Sequence, residues 1–149
     1  MGSQSDYSIM RESEQILKIL KIQHKVFIVS AHRTPKRMFQ FAENAEKKGF
    51  AVIIAGAGGS AHLPGMVASL ATIPVIGVPI ESKKLKGLDS LLSIAQMPKG
   101  CPTATMSING AFNAGLFAAS IIGTFDIKIK KNLIKWKRLQ TKSIKRKPK

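Results

Sequence analysis

Two short stretches constrain this chain more than anything else in it: Phe50 to Ala55 (FAVIIA) and Pro74 to Ile80 (PVIGVPI) are apolar at nearly every position. A strand with one wet face alternates apolar and polar residues. A continuous apolar run of this length is the pattern of a parallel strand covered on both faces. Such strands need crossover connections, and helical patterns stand between them. Pro64 opens one that runs to about Ala71. Thr34 caps another, with Pro35 in its first turn, Glu43 and Glu46 on its polar side and Gly49 at its end.

The rest of the chain continues this alternation. Asp6 can cap a helix to about Lys21 that places Ile9, Met10, Ile16, Leu17 and Leu20 on one face. Residues 25–30 (KVFIVS) and 103–108 (TATMSI) read as further strands, and residues 88–96 as a helix. Asn109-Gly110 turns into an apolar small-residue helix, Ala111 to Ile122, expected to be buried. A last helix begins near Asp126, with Ile129, Leu133, Trp136 and Leu139 at helical spacing. The expectation is an α/β domain built on a doubly wound parallel sheet, covering residues 1–141. The basic segment 142–149 is expected to be a disordered tail. At 149 residues, 44% of them hydrophobic, one domain can bury about two-thirds of its unfolded surface.

Composition excludes several classes. The single cysteine, Cys101, has no internal partner, and no signal-peptide pattern opens the chain, so a cytoplasmic setting is expected. No apolar run reaches the roughly 18 residues of a membrane span. The net charge of +16 is concentrated at one end: residues 127–149 hold 11 Lys/Arg and no acid, leaving 13 basic and 8 acidic residues elsewhere. A solvated basic helix accounts for this. Nucleic acid or an anionic surface is the alternative, but the body lacks the interleaved aromatics of an RNA platform. Three histidines and one cysteine do not make a zinc site, and there is no G-x-S-x-G elbow or Walker loop.

In a doubly wound sheet, ligands bind beyond the carboxyl ends of the strands, so the loops there are the candidates. Gly2-Ser3-Gln4-Ser5-Asp6 precedes a helix. It reads either as an anion site or as a plain cap, and Asp6 suits a sugar hydroxyl better than a phosphate. Ser30-Ala31-His32-Arg33 follows a strand and offers a proton carrier beside a bidentate anion donor. His24, between a helix and a strand, reads as a surface residue. The third loop, residues 55–65, contains Gly56-x-Gly58-x-x-Ala61, with Glu81 some twenty residues on, which matches a dinucleotide fingerprint. The helix start at Pro64 and the polar His62 argue against that reading. In the other, the glycines let the backbone approach a small ligand closely.

Taken together, MGSQSD at residues 1–6, SAHRTP at 30–35, AGAGGSAHLPGM at 55–66, PVIGVPI at 74–80, GLDSLLSIAQMPKGCP at 87–102 and NGAFNAG at 109–115 resemble the bacterial type of the PurE family, N5-carboxyaminoimidazole ribonucleotide mutases. The resemblance implies a flavodoxin-like three-layer α/β/α fold and a homo-octamer with sites shared between subunits. It also implies a reaction of purine biosynthesis, without metal or organic cofactor, that moves a carboxylate from an exocyclic nitrogen to ring carbon C4. By motif, His32 would transfer the proton. Ser3, Asp6 and Arg33, with Ser5 and Ser30, would bind the ribose phosphate. Gly58, Gly59, Ser60, Ala61, His62 and Leu63 would wall the base and the migrating carboxyl group. The family's near alternative is a carboxylase using CO2, and a ribonucleotide-binding relative with impaired catalysis is another. The family carries a strand ahead of its GS-x-SD loop, where this chain has only Met1, so a sheet lacking that strand is expected.

Overall fold

The computed structural model describes residues 1–147 and has three parallel strands between two layers of helices. The strands are β1 (Ile53–Gly58), β2 (Val75–Ile80) and β3 (Ala104–Thr105), in the order β1-β2-β3. The α-helices are α1 (Tyr7–Ile19), α2 (Pro35–Glu43), α3 (Leu63–Ala68), α4 (Leu88–Ala95), α5 (Ala111–Ile122) and α6 (Ile127–Ser143). A single 3-10 turn, Gln4–Asp6, leads into α1. The doubly wound α/β architecture read from the sequence is the one observed.

The period-two alternation of the strands divides the core. Ile53, Ala55, Ala57 and Val75 pack with α2, α3 and α4 against Met38, Ala42, Val67 and Ile94. Ile76, Val78 and Ile80 turn to the opposite face, onto Met10 and Leu17 of α1 and Ala111, Ala114 and Ala118 of α5. The two helices of that layer approach closely at Gly115, where a Cβ would collide with Ile16 Cγ2 and lie 3.1 Å from Ser13 O. α6 lays Ile129 and Leu133 on Ile16, Leu20 and Ala119, while Leu139 stays exposed. Asp126 starts this helix by accepting from the backbone N–H groups of Lys128 (2.8 Å) and Ile129 (3.1 Å). The helix ends at Ser143, beyond the expected boundary at Thr141. Of the expected disordered tail, Pro148 and Lys149 lie outside the described residues.

Four local expectations are corrected. β1 begins at Ile53 rather than Phe50 and extends through Gly58, because its limits are those of its partner: Ile53 pairs with Val75 and Gly58 with Ile80. The segment 103–108 contributes only Ala104 and Thr105 to the sheet. Gly77 pairs with Thr105, and Met106 N donates to Gly77 O at 2.9 Å. The next residue facing β3 is Pro79, which has no N–H to offer, so the ladder stops. Asp6 is the residue before α1, but its carboxylate accepts from Ser3 N (2.9 Å) and caps nothing in α1. Finally, residues 25–30 are extended yet belong to no ladder. Among the described residues their backbone meets Met1 alone in parallel fashion, with Met1 N donating to Phe27 O (3.1 Å) and Val29 N donating to Met1 O (2.8 Å).

Candidate active site

The cleft at the carboxyl ends of the strands has a volume of about 500 Å³. Ser30 to Thr34 forms a tight turn built on its own hydroxyls. Ser30 N donates to Thr34 Oγ1 (2.9 Å), which donates to Ser30 O (3.1 Å), and Arg33 N donates to Ser30 Oγ (3.2 Å). This turn buries Ala31 and leaves His32 and Arg33 exposed at the cleft. Arg33 reaches across to the first loop, with Nη2 donating to Gly2 O at 2.9 Å. Opposite it, Ser3 Oγ and Ser5 Oγ share a hydrogen bond of 2.6 Å, beside the Asp6 carboxylate that holds Ser3 N.

The third loop leaves β1 through Gly59, whose φ of +68° favours glycine. Its N–H donates to Ser90 Oγ (2.8 Å), and that hydroxyl donates in turn to Ile80 O (2.7 Å). Ser90 is fully buried in α4, so the loop is anchored to the end of β2 by an internal hydroxyl. The chain then turns through Ser60 and Ala61 to His62, the residue before α3. There His62 Nδ1 meets His32 Nε2 at 2.8 Å, with the rings at 82° and their centroids 4.9 Å apart. One proton between the two nitrogens satisfies this contact: one ring donates and the other accepts.

The structure brings Ser3, Ser5, Asp6, Ser30, His32, Arg33, Gly58, Gly59, Ser60, His62 and Leu63 around one cleft. It does not bring Ala61 to the surface. That side chain is 1% exposed and packs in the core behind the loop. His24 is away from the cleft, its Nδ1 within 3.0 Å of Ile22 O. The dinucleotide reading also fails on geometry. Gly56, Ala57 and Gly58 are strand residues paired with β2, so no tight turn forms where the fingerprint requires one.

Three contributors were not singled out for this site from the sequence. Glu81 and Ser82 complete the rim. Glu81 N donates to Asn109 Oδ1 (2.9 Å), and Asn109 Nδ2 donates to Glu81 Oε2 (3.2 Å), so the carboxylate is held at the strand end. The position of Glu81 just after an apolar strand was the available signal. Ser90 had none, because a serine inside a helix looks the same whether it faces water or core.

The cleft and its loops agree with three comparisons. A family model described as AIR carboxylase matches residues 1–143. The chain belongs to the AIR carboxylase family. The N5-carboxyaminoimidazole ribonucleotide mutase of Thermotoga maritima is 60% identical over 123 residues, 83% of this chain and 72% of that protein. The Escherichia coli K12 protein of the same name is 51% identical over 146 residues, 97% of this chain and 86% of its own length. The solved structure of Treponema denticola PurE superposes with a TM-score of 0.84 at 26% identity, covering 95% of this chain and 89% of that one. The flavodoxin-like fold of the AIR carboxylase family is therefore the fold seen here.

Proposed function

We propose that this chain is an N5-carboxyaminoimidazole ribonucleotide mutase of purine biosynthesis, an isomerase that moves a carboxyl group within its substrate. The observation that carries the reading is the 2.8 Å contact between His32 and His62, set in a cleft lined by glycine backbone on one side and Arg33 with serine hydroxyls on the other.

Each part has a task in that reaction. The N–CO2 bond breaks and the exocyclic nitrogen takes a proton from the His32–His62 pair, which the C4 proton later restores. The released CO2 is then attacked by C4, and the proton on C4 must leave to restore the aromatic ring. His32 takes that proton. His62, hydrogen-bonded to it, keeps one imidazole nitrogen of the pair free to accept. CO2 escapes unless the pocket around it is close-walled, and the backbone of Gly58 and Gly59, beside Ser60 and Leu63, supplies such a wall. Arg33, fixed by Gly2 O and Ser30, turns its remaining N–H groups to the phosphate, while Ser3, Ser5 and Asp6 take ribose and phosphate oxygens. Holding the ribonucleotide this way supplies orientation, a contribution worth up to about 7–11 kcal/mol in well-aligned intramolecular reactions. No step calls on a metal or organic cofactor.

The assembly is a homo-octamer in this reading, with sites shared between neighbours. Support comes from the family resemblance and from exposed apolar side chains such as Leu85 (57%) and Phe125 (67%). A cytoplasmic location suits the lone free Cys101, and among the described residues no helix is long and apolar enough to cross a membrane. The basic face of α6 is read as solvated rather than as a nucleic-acid surface.

The test is His32→Asn, expected to lower turnover by about 10²–10⁴-fold while ribonucleotide binding persists. Full turnover in that variant would remove His32 from the proton path. Supplying the N-carboxylated substrate, or aminoimidazole ribonucleotide with bicarbonate, separates the mutase from a CO2-using carboxylase: only the first is expected to turn over at ordinary bicarbonate.

A further inference from the structure

Two loops reach the cleft from neighbouring strands: the glycine wall that leaves β1 and the rim that leaves β2. Ile80 pairs with Gly58, so Glu81 and Ser82 emerge level with the start of the wall. The rim then turns into α4 through Lys86 and Gly87, whose φ values are +53° and +89°. A side chain at Gly87 would collide with Ile108 Cγ2 and lie 3.2 Å from Glu81 Cα. The turn therefore fits closely against the strand end it leaves.

Hydrogen bonds join the two loops behind the cleft. On the rim, Leu85 N donates to Ser82 Oγ (3.3 Å), and Ser82 Oγ donates to Asp89 Oδ1 (2.9 Å). The same carboxylate oxygen accepts from Ser90 N at 2.9 Å. On the wall, Gly59 N donates to Ser90 Oγ (2.8 Å), which gives its proton to Ile80 O (2.7 Å). At 3.5 Å, the approach of Ser90 Oγ to Asp89 Oδ1 is the looser contact. The two relays thus meet on adjacent residues, Asp89 and Ser90, in the first turn of α4.

Electrostatics favour that meeting point. A carboxylate in the first turn of a helix is stabilised by the helix dipole. Hydrogen bonds to an ionised acceptor are also stronger than neutral ones. Ser90 is fully buried, so its hydroxyl cannot exchange these partners for water. Gly59 and Ser82 line the cleft, while Asp89 and Ser90 lie behind it.

We propose that Asp89 is a positioning residue that couples the Ser82 rim to the Gly59 wall, so that the two sides move as one unit. The functional consequence rests on the carboxyl transfer proposed for this cleft. A wall that opens independently of its rim lets CO2 leave before C4 attacks it. Asp89 acts on that retention through Ser90 and Gly59, without touching the substrate.

The experiment is a double-mutant cycle on the full chain, read by amide hydrogen exchange at Gly59 relative to Ala118 of α5. Asp89→Ala is expected to speed Gly59 relative to Ala118 by about tenfold or more, the size of one lost charge-assisted hydrogen bond. Ser82→Ala, which removes no group in contact with Gly59, is expected to speed it about fivefold, and by less than about twofold once Asp89 is gone. Effects of the two substitutions that simply multiply overturn the coupling. Equal acceleration at Gly59 and Ala118 marks a general loss of stability and overturns it too. Should Asp89→Ala fail to fold, Asp89→Asn replaces it, keeping an acceptor oxygen without the charge, and the same pattern is expected at smaller size.

A second readout uses the N-carboxylated ribonucleotide. Asp89→Ala is expected to raise the share lost as CO2 and aminoimidazole ribonucleotide about fivefold, at unchanged affinity for aminoimidazole ribonucleotide. An unchanged share overturns the role in retention. If the unaltered chain does not convert this substrate, the function proposed for the cleft falls, and the exchange cycle still decides the coupling.

Discussion

The two walls of the cleft carry comparable chemistry on very different supports. The wall from Gly58 to Leu63, with Glu81 and Ser82, hangs from strands paired along their length and is pinned by Ser90 to both Gly59 N and Ile80 O. The wall made by the Ser3–Asp6 and Ser30–Arg33 loops hangs from an extended segment outside the ladder, which packs on the core through Val29 and makes two backbone bonds to Met1. His32 belongs to the second wall and His62 to the first, so their 2.8 Å contact spans the boundary between a rigid half and a lightly held half. Catalytic precision here is limited by the weaker support, because a proton carrier is only as well placed as the turn that carries it.

Substitutions can break this comparison on its rigid side first. A side chain at Gly77 in β2 would collide with Ile94 Cγ2 and approach Pro64 Cβ at 3.3 Å, both held in the core. Gly77→Val is expected to destabilise by about 3 kcal/mol or more in chemical denaturation. Gly56 in β1 offers the contrast. There an added Cβ would collide with Met10 at Cγ and the sulfur, in an unbranched side chain that can bend away, and lie 3.2 Å from Ile80 Cδ1. Gly56→Ala should therefore cost less than about 1 kcal/mol, and equal costs at the two sites would mean Met10 is held as rigidly as Ile94. Ser90→Ala lies between them, leaving Gly59 N–H and Ile80 C=O without their partner. A loss of about 1–3 kcal/mol is expected. It should come with lower turnover at unchanged ribonucleotide affinity, since the loop it anchors carries His62.

Most of the fold was legible because its signals are local. The apolar runs at 50–55 and 74–80, Pro35 and Pro64 in first turns, Asn109-Gly110 and the cap at Asp126 each carry their own physical cause. What could not be read depends on partners. β1 is shifted because Val75 and Ile80 set its ends, and β3 is short because Pro79 lies opposite its continuation. KVFIVS has the composition of a strand, but a strand is a pairing, and among the described residues its ladder-like bonds go to Met1 alone. The cleft was legible through residue order in three loops. Ser90 was not, since its role rests on two backbone groups distant in sequence.

The smallest effect expected is the most direct probe of the lightly held half. The Met1 ammonium is held below its ordinary pKa of 8.0, chiefly because burial penalises the charge, with Asp6 opposing the shift. In the unfolded chain the amine binds its proton at higher pH than in the folded one. Between the lowered value and 8.0 the unfolded state therefore holds more protons, and stability rises with pH across that window. The slope is shallow, since one group contributes, and it should vanish when Met1 is acetylated. Acetylation removes the charge, so the acetylated chain should be the more stable at the acid end of the window. A slope that survives acetylation would trace the pH dependence to another group and leave the amine's burial without a measurable cost.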